Sequence, residues 1–179
     1  MELINENMFK NMKSLLSEMH EPVALTFFKP EGKFNDALLK HLSSKLKKLN
    51  PKLTIEIRVL ARNDVKASGY GIKEAPAMVL EAKGKPPVRY FGIPVGEELN
   101  ILLSDILSFS DARPGLSRDM NEMVRDVTFP SHLRVYNNPT GVFALNAVRM
   151  AHNFSTLNHQ VAGSMHPETV MKKIMERKQ

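Results

Sequence analysis

Two turns in this chain have the outline of a catalytic site without its reactive group. Each joins a short apolar run, a Pro- and Gly-containing turn and an apolar helical segment: VALTFFKPEGKFNDALLKHL from residue 23 and HLRVYNNPTGVFALNAVRMAH from residue 132. A helix N-terminus offers free backbone N–H groups and the positive end of the helix dipole, which favours anions. Yet Gly141, Val142, Phe143 and Ala144 can supply no nucleophile, acid, base or metal ligand. At the first turn stand Gly32, Lys33, Phe34 and Asn35, with Lys29 just before them. Lys29, Gly32 and Lys33 there could together hold an anion; equally, a glycine is a common turn residue.

Other chemistries are excluded or weakly signalled. The sequence has no cysteine, which removes disulfides, thiolate catalysis and zinc–thiolate clusters within it. The six histidines (20, 41, 132, 152, 159 and 166) show no HExxH spacing, so no metal site is expected. His152 and His159 would share a helix face only if the helix runs on past Ser155. Met8/Met12 and Met171/Met175 are i,i+4 pairs on apolar faces, where methionine serves as adaptable filler. No Walker or Rossmann glycine pattern is present; GYGIKE at 69–74 is too short and misplaced. No cofactor is expected.

Composition is that of a globular protein, 42% hydrophobic and 25% charged over 179 residues. The net charge of +6 invites a nucleic-acid reading. However, Lys40, Lys45, Lys47 and Lys48 read as one solvated helix face, aromatics are only 7%, and no nucleic-acid motif accompanies them. That reading therefore ranks last. No apolar run approaches the roughly 20 residues that span a membrane, and MELINENMFKNMKSLL lacks a signal-peptide core. A cytoplasmic protein is expected.

Periodicity predicts helices over 2–19 and 34–49, a strand over 23–28 that is buried on both faces, and an alternating strand over 53–60. A short Gly-broken helix follows at 63–70, then a hairpin of 77–82 and 87–91 around KGKP, and a helix over 96–109. The order implies an α/β unit in which parallel crossovers build the sheet and the hairpin forms its antiparallel edge. SDARPGLS, 110–117, reads as a linker. Beyond it come a short helix (118–126), a strand (131–136), the apolar helix, a polar loop (155–165) and a last helix from Pro167 to Arg177. The second part thus looks like an incomplete repeat of the first, with no second strand after its helix.

The order β-α-β-α-β-β-α resembles the thioredoxin fold. APAMVLEAKGKPPVRYFGIPVGEE and NPTGVFALNAVRMAH further resemble the archaeal protein disulfide oxidoreductases, two-domain glutaredoxin-like proteins made of tandem thioredoxin units. The resemblance implies a thioredoxin-like domain over 1–109 with an extra N-terminal helix, and a truncated second unit over 118–179. It implies that Pro76 is the cis-proline, and that Gly32 with Asn35, and Gly141 with Ala144, stand where the family carries cysteine pairs. Thiol–disulfide exchange needs an attacking thiolate, so the family's activity does not carry over.

What remains is a set of expectations. In the family an extended peptide pairs with the backbone beside the cis-proline, so Ala75 and Pro76 are a peptide-binding candidate. Alternatively the cis bond only shapes the hairpin. A redox-inactive protein that binds peptides or proteins, in a chaperone-like or assembly role, is the first reading. A non-thiol enzyme, or a binder of an anion or thiol cofactor at Gly32, is the second. Because the second unit lacks covering elements, residues 131–179 are expected to pack on the first unit or, preferentially, to form a homodimer.

Overall fold

The computed structural model describes residues 4–32, 36–111, 116–137 and 142–170. Along them run α1 (Glu6–Leu16), β1 (Val23–Lys29), α2 (Ala37–Leu46), β2 (Leu53–Val59), α3 (Val65–Gly69) and β3 (Ala77–Ala82). Then follow β4 (Val88–Phe91), α4 (Glu97–Asp111), α5 (Arg118–Arg125), β5 (Ser131–Asn137), α6 (Val142–Leu157) and β6 (Val161–Pro167). Side-chain caps fix where three helices begin. Asn5, Asp64 and Ser117 each accept the backbone N–H three residues on, satisfying a donor the helix itself leaves free.

All six strands belong to one mixed sheet in the order β2-β1-β3-β4-β6-β5. β1 lies parallel to β2 and antiparallel to β3, and β3 and β4 form the hairpin. β6 then runs parallel to both β4 and β5, joining the two halves. Alternation along the strands sorts the side chains onto two faces. Val23, Leu25 and Phe27 of β1, Met78 and Leu80 of β3, Val88 and Tyr90 of β4 and Met165 of β6 share the main core. Met12 and Leu16 (α1), Leu39, Leu42 and Leu46 (α2), Leu102 and Ile106 (α4) and Val148 (α6) close it from the helix side. The opposite face holds a smaller cluster in which Ala67 and Ile72, from α3 and its exit, cover Phe28, Ala77 and Val79.

The mixed sheet flanked by helices is the architecture expected, but three details are not. Residues 155–165 are not a polar loop: α6 continues to Leu157, and the chain then enters β6. The second part therefore does have a second strand, which Pro167 ends, and residues 168–170 are helical directly after it, where the last helix is expected to start. The segment beyond 170 lies outside the described residues. The hairpin is not the sheet edge either, because β6 pairs with β4. Finally, α4 runs through Asp111, two residues past the expected end at Phe109.

The consequence is that the second part extends the first unit's sheet. α6 packs on β5, β6 and α4 of this same chain, so its apolar face (Leu145, Val148, Ala151) is covered internally.

Candidate functional site

The Ala75–Pro76 peptide bond is cis, as the resemblance implies. The pairing of Phe28 with Ala77 sets this bond beside the C-terminal end of β1. The carbonyl of Pro76 accepts the Gly92 N–H at 2.8 Å, which fixes the loop to the end of β4. Ala75 and Pro76 are half-buried, and the N–H and C=O of Ala75 make no hydrogen bond among the described residues. One residue, Ala75, therefore offers both a backbone donor and a backbone acceptor at this end of the sheet.

The neighbouring turn differs from expectation. Gly32 is exposed with φ +85°, a conformation that favours glycine, but α2 begins only at Ala37. The residue at that helix start is Asp36. Its carboxylate takes Lys40 at 3.0 Å and Lys29 at 3.1 Å, and these hydrogen bonds, Lys40's first, hold its pKa below the usual carboxylate value. Gly32 is thus not at a helix N-terminus, and the helix end and Lys29 already have each other's charge through Asp36. Lys33, Asn35 and Gly141 lie outside the described residues; Ala144 is half-buried in the first turn of α6.

Two polar groupings occur that spacing along the sequence does not assemble. The first is wholly buried. Tyr90 Oη donates to Asp105 Oδ2, and His152 Nδ1 lies 2.6 Å from the same oxygen. The Tyr90 and His152 rings meet edge-to-face at 4.9 Å. Burial, and then the Asp105 charge, push the Tyr90 hydroxyl well above its ordinary pKa, so it stays a hydrogen-bond donor. His152 is thus a hydrogen-bonded core residue rather than a ligand.

The second lies on the sheet face opposite α6, over β4, β6 and β5. Arg89, Ser164 and Arg134 occupy one row across the three strands; Phe91, His166 and Tyr136 occupy the next. Ser164 Oγ is 2.9 Å from both His132 Nε2 and His166 Nε2. Arg89 Nη2 approaches His132 Nε2 at 3.2 Å, and Arg134 Nε approaches His132 Nδ1 at 3.4 Å. The His166 ring stacks on Phe91 at 4.3 Å and tilts against Tyr136 at 5.3 Å. Burial, followed by the neighbouring cations, lowers His166 to about 4 and also lowers His132.

A cavity of about 850 Å³ lies at the other end of the sheet between His20, Glu81, Lys85 and Asp111. Two of its polar side chains, Lys85 and His20, are structurally engaged. Lys85 Nζ donates to the Ser108 and Phe109 carbonyls at the end of α4, and His20 Nδ1 lies 2.8 Å from Asp111 Oδ1. Among the described residues, no three His, Asp or Glu side chains gather as a metal site. α6 ends before His159, so that residue and His152 do not share a helix face.

No family model matches the chain, and no curated protein is matched in sequence. Solved structures do match. The alkylhydroperoxide reductase AhpF of Enterococcus faecalis superposes with a TM-score of 0.81 at 19% identity, over 98% of this chain and 85% of that one. A protein disulfide oxidoreductase from Aeropyrum pernix gives 0.77 at 19% identity, over 98% and 79%. A Sulfolobus solfataricus protein gives 0.64 at 13% identity, over 94% and 87%. With its mixed six-stranded sheet, flanking helices and these likenesses, the chain has a thioredoxin-like fold.

Proposed function

We propose that this thioredoxin-like protein works by binding, taking an extended peptide segment along the Ala75–Pro76 edge without redox chemistry. The observation that carries this reading is the backbone of Ala75, whose N–H and C=O are unpaired among the described residues at the end of the sheet. A segment laid beside it would gain main-chain hydrogen bonds by strand-like addition. The 179 residues hold no cysteine, so a captured segment meets no thiolate of this chain. A chaperone-like or assembly role suits such contacts, because main-chain pairing is tolerant of side-chain identity. An anion or thiol cofactor at Gly32 is less favoured, since Lys29 and Lys40 both already pair with the Asp36 carboxylate.

The test uses hydrogen exchange with an immobilised library of nine-residue peptides as the source of ligands. A peptide that binds should slow exchange at the Ala75 amide and leave that of Ala67 unchanged. Pro76→Ala, with its fold checked by circular dichroism, should lose the binding. If captured peptides protect no amide near Ala75, the edge is not the binding site.

A further inference from the structure

We infer that the β4–β6–β5 face is an anion site, built to take the phosphate group of a small phosphorylated ligand between Arg89 and Arg134. Among the described residues α6 lies on the opposite side of the sheet, and the α3 cluster covers Phe28, Ala77 and Val79 and reaches Phe91 of β4. His132 and Arg134 are exposed, and Arg89 is half-buried.

The cluster is short of acceptors. A neutral imidazole has one acceptor nitrogen, yet guanidinium N–H groups approach both nitrogens of His132, from Arg89 and from Arg134. At most one of them can be satisfied there. Arg89 Nη1 spends another donor on the Tyr70 carbonyl at 3.3 Å, and Arg89 Nε is buried without a partner among the described residues. Among the described residues neither arginine forms an ion pair with a carboxylate. Among the described residues the charges that act on His166, His132 and Arg89 are all positive. Burying a guanidinium without an acceptor is costly, and a phosphate oxygen would supply what the protein does not.

The geometry favours an oxyanion over a metal ion. Although His132 and His166 both turn Nε2 toward Ser164 Oγ, two arginines flank them and repel a cation. It also favours a small ligand over a stacked nucleic acid. The His166 ring lies nearly parallel to Phe91, only 13° from it, so each hides a face against the other. A base-stacking surface needs open ring faces.

The probes are inorganic phosphate, phenyl phosphate and a thymidine 20-mer, titrated at low ionic strength while His132 and His166 ring resonances are followed. Saturable shifts with either small phosphate are expected. Arg134→Gln should weaken them at least tenfold, and Arg134→Lys should restore part of the loss. Arg134 suits the test because its one hydrogen bond among the described residues is the long contact to His132. Pro76→Ala should leave phosphate affinity unchanged, which separates this site from the peptide edge. No response to either small phosphate, equal affinity in Arg134→Gln, or response only to the 20-mer would each overturn the inference.

Discussion

His152 on α6 and Asp105 on α4 meet at 2.6 Å with both side chains 1% exposed. This contact ties the second part of the chain to the first inside the core. Tyr90 adds a second donor to the same carboxylate oxygen, so three elements converge on one atom. His152→Ala would remove one of the two donors from a buried carboxylate and open a cavity between α4 and α6. The expected loss is about 3 kcal/mol, the range for breaking a buried polar pair. Urea unfolding of His152→Ala, Asp105→Asn and the double variant would measure it. Singles and double costing nearly the same would show that the groups act as one unit; strictly additive losses would contradict that.

Gly163 is the point where β6 touches α6. A Cβ there would stand 2.7 Å from the Ala151 carbonyl oxygen and 2.9 Å from Ser155 Oγ. Backbone cannot retreat without moving the helix off the sheet, so Gly163→Ala should cost about 2 kcal/mol or more. The check is a shift in thermal midpoint against Gly69→Ala, at the end of α3, where the added Cβ meets nothing within 4 Å and φ is not positive. Equal shifts for the two variants would mean β6 and α6 are not packed as described.

That same glycine explains why β6 is hard to see in the sequence. VAGSMHP has one β-branched residue, a glycine and a proline, so its intrinsic strand signal is weak. Its strand conformation comes from tertiary pairing, with β4 on one side and β5 on the other. By contrast, VALTFFK and LTIEIRV declare themselves through β-branched runs and alternation, and both are strands. Pro76 is legible because a short motif around it carries the fold's geometry. The arginine–histidine face is not legible. Its members lie on three strands as RxF, HxRxY and SxH, and only the register of β6 brings them together. The period-2 spacing of polar groups in HLRVY is the one available signal.

Acid should weaken this fold from the His166 side. Its folded pKa of about 4 lies below the ordinary value of 6.5, so the unfolded chain takes up the proton first. The stability contributed is therefore complete above pH 6.5 and is lost as pH falls from 6.5 toward 4. Ser164, His132, Phe91 and Tyr136 touch the cluster, with Arg89 and Arg134 as its cations; His132 shifts the same way. After allowance for screening by water, the loss is on the order of 2 kcal/mol. Urea midpoints at about pH 7, 5.5 and 4.5 would reveal it, with His166→Gln expected to flatten the profile. A profile of unchanged slope in that variant would place the acid sensitivity elsewhere.

Self-association through the second part is open to the same kind of test. β6 and α6 cover much of what a half-unit would expose, but an apolar groove of about 360 Å³ remains between α5, β5 and α6. Met123, 72% exposed, and Leu133 line it, and Phe129 stands 66% exposed nearby. Exposed apolar side chains so grouped mark contact surfaces more often than scattered ones do. The full chain should behave as a homodimer in light scattering at micromolar concentration. Met123→Glu with Leu133→Glu would bury two charges at that contact and should weaken association at least tenfold, with unfolding midpoints close to the parent's. A parent protein that is monomeric at those concentrations would exclude the dimer, and a dimer indifferent to the two glutamates would place its interface on another surface.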